Sequence, residues 1–296
     1  MIGRIRGSSV LEKEMPTLSP MLIWRRVQRA HMLNYLILGI GAAAMLFPFL
    51  WMVATSFKVR GEIFTFPPTL LPQTFTLQNY QNLFERLDVA RLFWNTALVA
   101  VTKTVLMVYT SAILGYVFGK YQFRGRDAIF YLILVTMILP LEVYVIPLYQ
   151  MMAGAKLADS YAALILPYVF SAYSIFLFRQ FVFAIPDELI DAARIDGASE
   201  LYVFHRVILP LSGPVLATTA SFYFMWNWND FLWPLIIIST RDKAMLPVAL
   251  AGFVADRGTD YGLIMAGTTF VVLPVLAVFL LFQRYIVQGI ALTGMK

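Results

Sequence analysis

Six stretches of the chain are each long and apolar enough to cross a lipid bilayer as a helix, which needs about 20 apolar residues. They are residues 33–57, 92–118, 128–152, 160–182, 211–238 and 262–286. Hydrophobic side chains make up 60% of the 296 residues and charged ones only 14%, so the chain has too little polar surface to coat a soluble globule. The sequence predicts an all-α integral membrane protein with six transmembrane helices.

The basic residues predict the orientation of these helices. If the N-terminus is cytoplasmic, fourteen Lys and Arg residues lie on the inner side and eight on the outer side, and the short loop 119–127 is especially basic. Positive residues are retained on the cytoplasmic side of membranes, so both termini are predicted to be cytoplasmic. The same rule explains the net charge of +6 without nucleic acid as a partner.

We expect no signal peptide in the first thirty residues, because Glu12 and Glu14 precede any apolar run. We therefore predict two parts: a cytoplasmic segment at 1–32 and a single six-helix domain at 33–296. Within the first part, residues 22–29 fit either a helix lying on the membrane surface or a disordered basic tail. The external segment 58–90 is rich in turn residues and predicts an ordered loop with a short helix at 77–85.

Few residues could support catalysis or metal binding. The chain has no cysteine and only two histidines, His31 and His205, neither of them within a predicted span. No phosphate-binding loop is present, since the segment from Gly115 to Lys120 has the wrong spacing and no hydroxyl after its lysine. Gly115 and Gly119 instead indicate close helix packing. The sequence predicts a chain with no metal or cofactor of its own that is not an enzyme.

The cytoplasmic loop 185–210 predicts a helix, a tight turn and a second helix. Pro186 followed by two carboxylates favours a helix start. Gly197 is suited to the left-handed conformation that ends a helix, and Ser199 to the cap of the next. In that second helix, Leu201, Phe204 and Ile208 are spaced to share one face.

The residues of this loop resemble the EAA motif of ABC importer permeases, which reads Glu-Ala-Ala, three residues, Gly, nine residues, Ile-x-Leu-Pro. Here the matching residues are Asp191-Ala192-Ala193, Gly197 and Val207-Ile208-Leu209-Pro210. The spacing matches throughout. Asp191 replaces glutamate and Val207 replaces isoleucine, and both changes keep charge or β-branching.

Nearly the whole chain is similar to one branch of that superfamily, the carbohydrate-importer permeases of the maltose-system MalG type. The similar stretches are Thr55-Ser56-Phe57-Lys58, Met137-Ile138-Leu139-Pro140, Ile146-Pro147-Leu148-Tyr149, Trp228-Asn229-Asp230-Phe231-Leu232-Trp233-Pro234 and Phe282-Gln283-Arg284-Tyr285-Ile286-Val287-Gln288-Gly289.

That resemblance implies a type I ABC importer fold in the bacterial inner membrane. It also implies four partners: a second permease forming a heterodimer with this chain, two ATPase subunits that bind ATP and Mg, and an external solute-binding protein. Residues 198–206 would be the coupling helix in a cleft of the ATPase. The residues implied in coupling are Asp191, Ala192, Ala193, Gly197, Ala198, Ser199, Leu201 and Phe204. By the same resemblance, loop 240–261, with Asp242, Arg257 and Asp260, reaches towards the docked binding protein.

Three ionisable residues, Lys103, Glu142 and Asp230, lie within or near apolar spans. A charge at membrane depth is costly and must face protein or water. Lys103 fits either an internal ion pair or a cationic contact in the translocation path for an acidic substrate, such as a uronic-acid oligosaccharide or a sugar phosphate. Trp226, Trp228 and Trp233 near Asp230 fit an interfacial aromatic belt or, alternatively, rings on which sugars stack.

The sequence is also compatible with three other classes of membrane protein. An ion-coupled secondary carrier would need coupling groups around broken helices at the midplane, for which Lys103 alone is poor support. A membrane-embedded enzyme would need a nucleophile with a base, or a metal cluster. A structural membrane scaffold would give no reason for the loop 185–210.

Overall fold

The computed structural model describes residues 20–257 and 260–294 of the chain. Residues 1–19, which make up most of the predicted cytoplasmic segment, lie outside this range. The α-helices, in chain order, are α1 Pro20–Ser56, α2 Gln78–Arg86, α3 Val89–Lys120, α4 Arg126–Val135, α5 Leu141–Gly154, α6 Tyr161–Ile165, α7 Ala172–Phe183, α8 Asp187–Ile195, α9 Glu200–Val203, α10 Leu209–Leu211, α11 Gly213–Trp228, α12 Leu232–Ile237, α13 Leu246–Arg257 and α14 Tyr261–Gly294.

Three helices each contain one apolar segment long enough to cross a membrane: Asn34–Ser56, Val89–Lys120 and Tyr261–Arg284. Three further pairs of helices reach that length only together, and each pair is bent, by 105°, 43° and 78°. Within the described residues, counting each bent pair as one span gives up to six spans. The structure confirms the predicted all-α membrane architecture.

Prolines account for the 105° bend and for a break within the predicted span 211–238. Pro140 lies at the 105° bend between α4 and α5, where it removes a backbone donor and favours an extended Leu139. The predicted span 211–238 is not one helix, because α11 ends at Trp228 and α12 begins at Leu232. Pro234 explains this break, since its ring would clash with the carbonyl of residue 230 in a continuous helix.

The described chain divides into two compact units between Trp51 and Met52. The first contains α1 up to Trp51, whose ring lies 5.9 Å from that of Phe47. The second contains the remaining helices. The predicted boundary near residue 32 stays a prediction.

The predicted external segment forms an ordered loop followed by α2, as expected from its turn residues. Its centre is Glu62, which is 7% exposed and accepts hydrogen bonds from the backbone N–H groups of Gln73 and Thr74 and from the hydroxyl of Thr69. These hydrogen bonds, above all the one from Gln73, lower the pKa of Glu62. The loop is therefore held by a charged acceptor at its core.

The second unit is organised around α3, which packs closely against α7 at two glycines. A Cβ atom added to Gly115 would lie 2.4 Å from the Cβ of Phe178, and one added to Gly119 would lie 3.1 Å from Val182. Small residues four apart let two helix backbones approach in this way. The structure confirms the predicted close-packing role of these glycines.

Gly115→Ala is expected to lower the thermal stability of the detergent-purified subunit, because 2.4 Å is too short for any Cβ contact and the α3 and α7 backbones must separate. Such overpacking costs about 1–3 kcal/mol. Gly154→Ala is the matched control, since a Cβ there meets nothing within 4 Å. Equal thermal midpoints for the two variants would contradict this account of the α3–α7 contact.

Candidate coupling loop and membrane cleft

The loop 185–210 folds as the sequence predicts, as two short helices joined by a tight turn. α8 begins after Pro186 with Asp187 and Glu188 in its first turn, where carboxylates favour the positive end of the helix. α9 begins after Ser199, whose side chain accepts a hydrogen bond from the N–H of Tyr202. A π-helical turn at Phe204–Ile208 follows. We call residues 185–210 the elbow loop.

Gly197 sets the angle between the two helices. Its φ of +82° is left-handed, and the surrounding hydrogen bonds run from Ala198 N to Ala193 O and from Gly197 N to Arg194 O, each 3.0 Å long. This pair of bonds is the Schellman motif that closes a helix on a left-handed residue. The predicted turn and cap are therefore confirmed as conformations.

One face of the elbow loop is buried against the helices. Ile190, Val203, Phe204 and Ile208 are each at most 3% exposed, and they form one hydrophobic cluster with residues of α3 and α7. Ala193 and Ala198 pack at its edge, where small side chains permit close approach. The burial of this face fixes the elbow loop on the helix bundle.

The other face of the elbow loop exposes large apolar side chains. Ile195 is 86% exposed, Leu201 67% and Tyr202 55%. The expectation that Leu201 shares a face with Phe204 and Ile208 is therefore wrong. The π-helical turn at Phe204–Ile208, with its i→i+5 bonding, shifts Ile208 from its α-helical phase relative to Leu201. Asp191, Ala192 and Ser199 are also exposed on the elbow loop.

Polar contacts that sequence reasoning missed join the elbow loop to α3. Glu200 accepts hydrogen bonds from the hydroxyls of Tyr116 and Tyr121 and pairs with Arg194 at 2.8 Å. Lys120 pairs with Asp187 at 2.5 Å. Glu200 and Tyr121 are 79 residues apart in the chain, so no local pattern marks their contact.

Within the membrane segments, the structure brings Lys103 and Asp230 together. The Lys103 Nζ lies 2.8 Å from Asp230 Oδ2 and 3.9 Å from the centre of the Tyr168 ring. The Lys103 side chain is 4% exposed and that of Asp230 16%. This is the geometry of an internal ion pair, formed where the chain breaks between α11 and α12.

A cleft of about 750 Å³ lies beside this pair. Its lining includes the carboxylates Glu142 and Asp230 and the aromatic rings of Phe222, Trp226 and Phe231. Glu142 and Trp226 are exposed, so the cleft presents acidic acceptors next to open aromatic faces. Two of the three ionisable residues singled out in the sequence thus share one cavity.

The interfacial-belt interpretation is wrong for two of the three tryptophans near Asp230. Trp228 is 1% exposed and Trp233 0%, and their indole N–H groups donate to the carbonyls of Val271 and Ala163 at 2.9 and 3.0 Å. A buried tryptophan needs such a partner. Only Trp226 of these three, with 76% of its surface exposed, remains open to solvent, lipid or ligand.

At the other end of α3, the segment before α13 is tied down by charged groups. Arg91 pairs with Asp242 at 2.6 Å. Asp159 accepts hydrogen bonds from the hydroxyl and N–H of Thr240, and these hold its pKa far below the usual range. A cavity of about 470 Å³ lies there, lined in part by Arg91 and Asp242.

Of the other residues predicted to reach outward, Asp260 accepts from the N–H of Leu263 at the start of α14, and the Arg257 side chain lies outside the described residues. Asp242 itself is engaged with Arg91. The segment before α13 therefore carries exposed charged residues and is firmly attached to α3.

Comparison with known proteins gives a consistent picture. Residues 111–292 match the family described as "Binding-protein-dependent transport system inner membrane component". The chain is 36% identical to the arabinooligosaccharides transport system permease protein AraQ of Halalkalibacterium halodurans, over 84% of this chain and 91% of that protein. It is 34% identical to the lactose transport system permease protein LacG of Rhizobium radiobacter, over 86% and 93% of the two chains.

A solved structure shares the fold. A chain from a bacterial ABC transporter involved in the import of the acidic polysaccharide alginate superimposes with a TM-score of 0.79, over 88% of this chain and 98% of that one, at 23% identity. Likeness at this identity shows the fold alone.

Proposed function

The chain belongs to the family of binding-protein-dependent transport system inner membrane components, and on that premise we propose that it is one of two different permease subunits of an ATP-driven importer for a sugar or oligosaccharide. It lies in the bacterial inner membrane as a multi-pass protein of the type I ABC importer fold. The proposed assembly adds two ATPase chains, which bind ATP and Mg, and an external solute-binding protein.

The observation that carries this proposal is the elbow loop. Its buried face anchors it to α3 and α7, while Ile195, Leu201 and Tyr202 are exposed and available to a partner. A rigid pair of capped helices with exposed apolar side chains is suited to bind in a cleft of an ATPase chain, because a flexible loop would not transmit movement. In this assignment the elbow loop and both termini are cytoplasmic, in agreement with the basic residues.

The cleft beside Asp230 is the proposed contact with the solute. Exposed Glu142 must face water or protein at membrane depth, which supports a cleft that opens towards the pathway and away from lipid. Carboxylates accept hydrogen bonds from sugar hydroxyls, and the open Trp226 ring offers a face for the apolar side of a sugar. Alternating exposure of this cleft would move the solute across the membrane.

The charges of the cleft favour a neutral solute. An acidic oligosaccharide or a sugar phosphate would need a cation in the pathway, and Lys103 is already paired with Asp230 at 2.8 Å. The acidic-substrate alternative would then depend on cations of the second permease. Uptake assays with matched neutral and uronic-acid oligosaccharides distinguish the two.

Trp226→Ala is expected to lower sugar uptake several-fold, because the change removes a large ring against which the solute would bury apolar surface. Trp94→Ala is the matched control, since Trp94 is also exposed, at 67%, but belongs to α3 and does not line the cleft. Equal uptake by the two variants, at equal amounts in the membrane, would remove the cleft from the pathway.

Affinity purification from the native membrane in mild detergent tests the proposal as a whole. We expect a second permease and an ATPase chain to copurify with ATP hydrolysis activity. A chain that purifies alone and supports ion-driven uptake in liposomes would establish a secondary carrier instead.

A further inference from the structure

The elbow loop is attached to the inner end of α3 at three points. Lys120 donates to the carbonyl of Ile185 at 2.6 Å and to the Asp187 carboxylate at 2.5 Å, which holds the start of α8. The hydroxyls of Tyr116 and Tyr121 donate to Glu200, which holds the start of α9.

The third point is His205. Its Nδ1 lies 2.8 Å from the carbonyl of Leu201, which can only accept, so Nδ1 carries the proton. In the neutral ring Nε2 is then an acceptor, and it lies 2.9 Å from the Tyr109 hydroxyl. Tyr109, Tyr116 and Lys120 are spaced at helical intervals along α3, so a single helix provides all three attachments.

Glu200 has the central position among these contacts. Its Oε2 faces the hydroxyls of Tyr116 in α3 and of Tyr121, the residue that follows α3. Its Oε1 faces the guanidinium of Arg194, the residue before the end of α8. One carboxylate thus connects α3, α8 and α9. Leu201 and Tyr202, two of the exposed side chains that the proposed ATPase contact uses, follow it directly in the sequence.

We infer that Glu200 is a positioning residue of the coupling step: through Tyr116 and Tyr121 it holds the ATPase-facing loop on α3, so that α3 carries the movement of that loop to the cleft. This inference rests on the proposed function. It adds to the proposed function the identity of the helix that moves with the elbow loop. The buried apolar face of the elbow loop contacts both α3 and α7, so that face alone does not identify the helix.

The form of α3 suits this role. It is continuous over 32 residues without an internal proline, about 48 Å at a rise of 1.5 Å per residue. About halfway from the elbow loop to its other end, α3 carries Lys103, which is bonded to Asp230 at the cleft. A rigid helix fixed at both places transmits displacement directly, whereas the bent α4–α5 pair would absorb it.

The test uses the complete importer purified from its native host, with ATP hydrolysis and solute uptake measured on the same proteoliposomes. Glu200→Ala is expected to lower the amount of solute transported per ATP about fivefold or more, with ATP hydrolysis retained. Tyr121→Phe, which removes one hydroxyl, is expected to lower the same ratio. Glu188→Ala is the matched control, an exposed carboxylate of α8 with no bond to α3 among the described contacts.

A double-variant cycle makes the inference specific to this contact. Combining Glu200→Ala with Tyr121→Phe should lower the ratio no further than Glu200→Ala alone, because both remove the same connection. Wild-type ratios in assembled Glu200→Ala importer would overturn the inference while leaving the proposed function intact. If Glu200→Ala fails to assemble, the decision passes to Tyr121→Phe and Tyr116→Phe, whose wild-type ratios would overturn it equally. Absence of an ATPase from the wild-type preparation would instead overturn the proposed function.

Discussion

Replacing Lys103 with methionine is expected to remove most of the assembled importer and its uptake activity, because the change leaves Asp230 without its cation. The two groups lie 2.8 Å apart and are largely shielded from solvent. Removing one partner of a buried ion pair costs about 3–5 kcal/mol, since it leaves an uncompensated charge. The measurements are the amount of monodisperse complex recovered in detergent and the rate of uptake per milligram of membrane protein.

The double variant Lys103→Met with Asp230→Asn separates this structural role from a role in binding substrate. If the pair only joins α3 to the α11–α12 break, neutralising both residues is expected to recover much of the assembled protein, because no unpaired charge remains. If Lys103 instead contacts an acidic solute, the single variant should assemble normally and lose uptake of that solute alone. Unchanged assembly and uptake in the single variant would contradict both roles.

The membrane architecture follows from the sequence because hydropathy reports the solvent of each segment directly. The apolar stretches at 92–118 and 262–286 fall within α3 and α14. The bends are harder to predict, because proline removes a hydrogen bond without changing hydropathy. Pro234 does not lower the apolar content of its segment, yet it separates α11 from α12. Asp230 therefore lies where the helix is interrupted.

Local chemistry explains why the elbow loop was predictable in detail. The turn at Gly197 and the cap at Ser199 depend on hydrogen bonds between residues a few positions apart. Such contacts are predictable from the residue types in a short stretch of sequence. Their conformations are confirmed. The coupling roles of these residues remain predictions.

Contacts between distant segments were not predictable in the same way. The bonds from Tyr121 and Tyr116 to Glu200 join parts of the chain 79 and 84 residues apart, and the burial of Trp228 depends on α14. The expected common face of Leu201 and Ile208 fails for a different reason, because it assumes an α-helical period across residues 204–208, where the chain forms a π-helical turn. Spacing arguments fail wherever the helix type changes.

Gly197→Val is expected to leave insertion and ATP hydrolysis largely intact and to reduce transport at least tenfold. The φ of +82° at this position is one that a β-branched residue adopts only with strain, on the order of 1–3 kcal/mol. The Schellman turn must then open, which changes the angle between α8 and α9 and moves Leu201 and Tyr202 away from their positions in the proposed ATPase contact.

Gly197→Asn is the matched control, because asparagine tolerates the left-handed region and a Cβ at this site meets nothing within 4 Å. The asparagine variant should therefore transport close to normally. Uptake that falls equally in both variants would mean that the side chain itself obstructs the partner, and equal, normal uptake would mean that the turn geometry is not needed. Loss of the valine variant from the membrane would instead show that Gly197 is needed for folding. Gly197 lies outside the buried face that Ile190, Phe204 and Ile208 form, so a turn that serves only coupling should tolerate strain without loss of the protein.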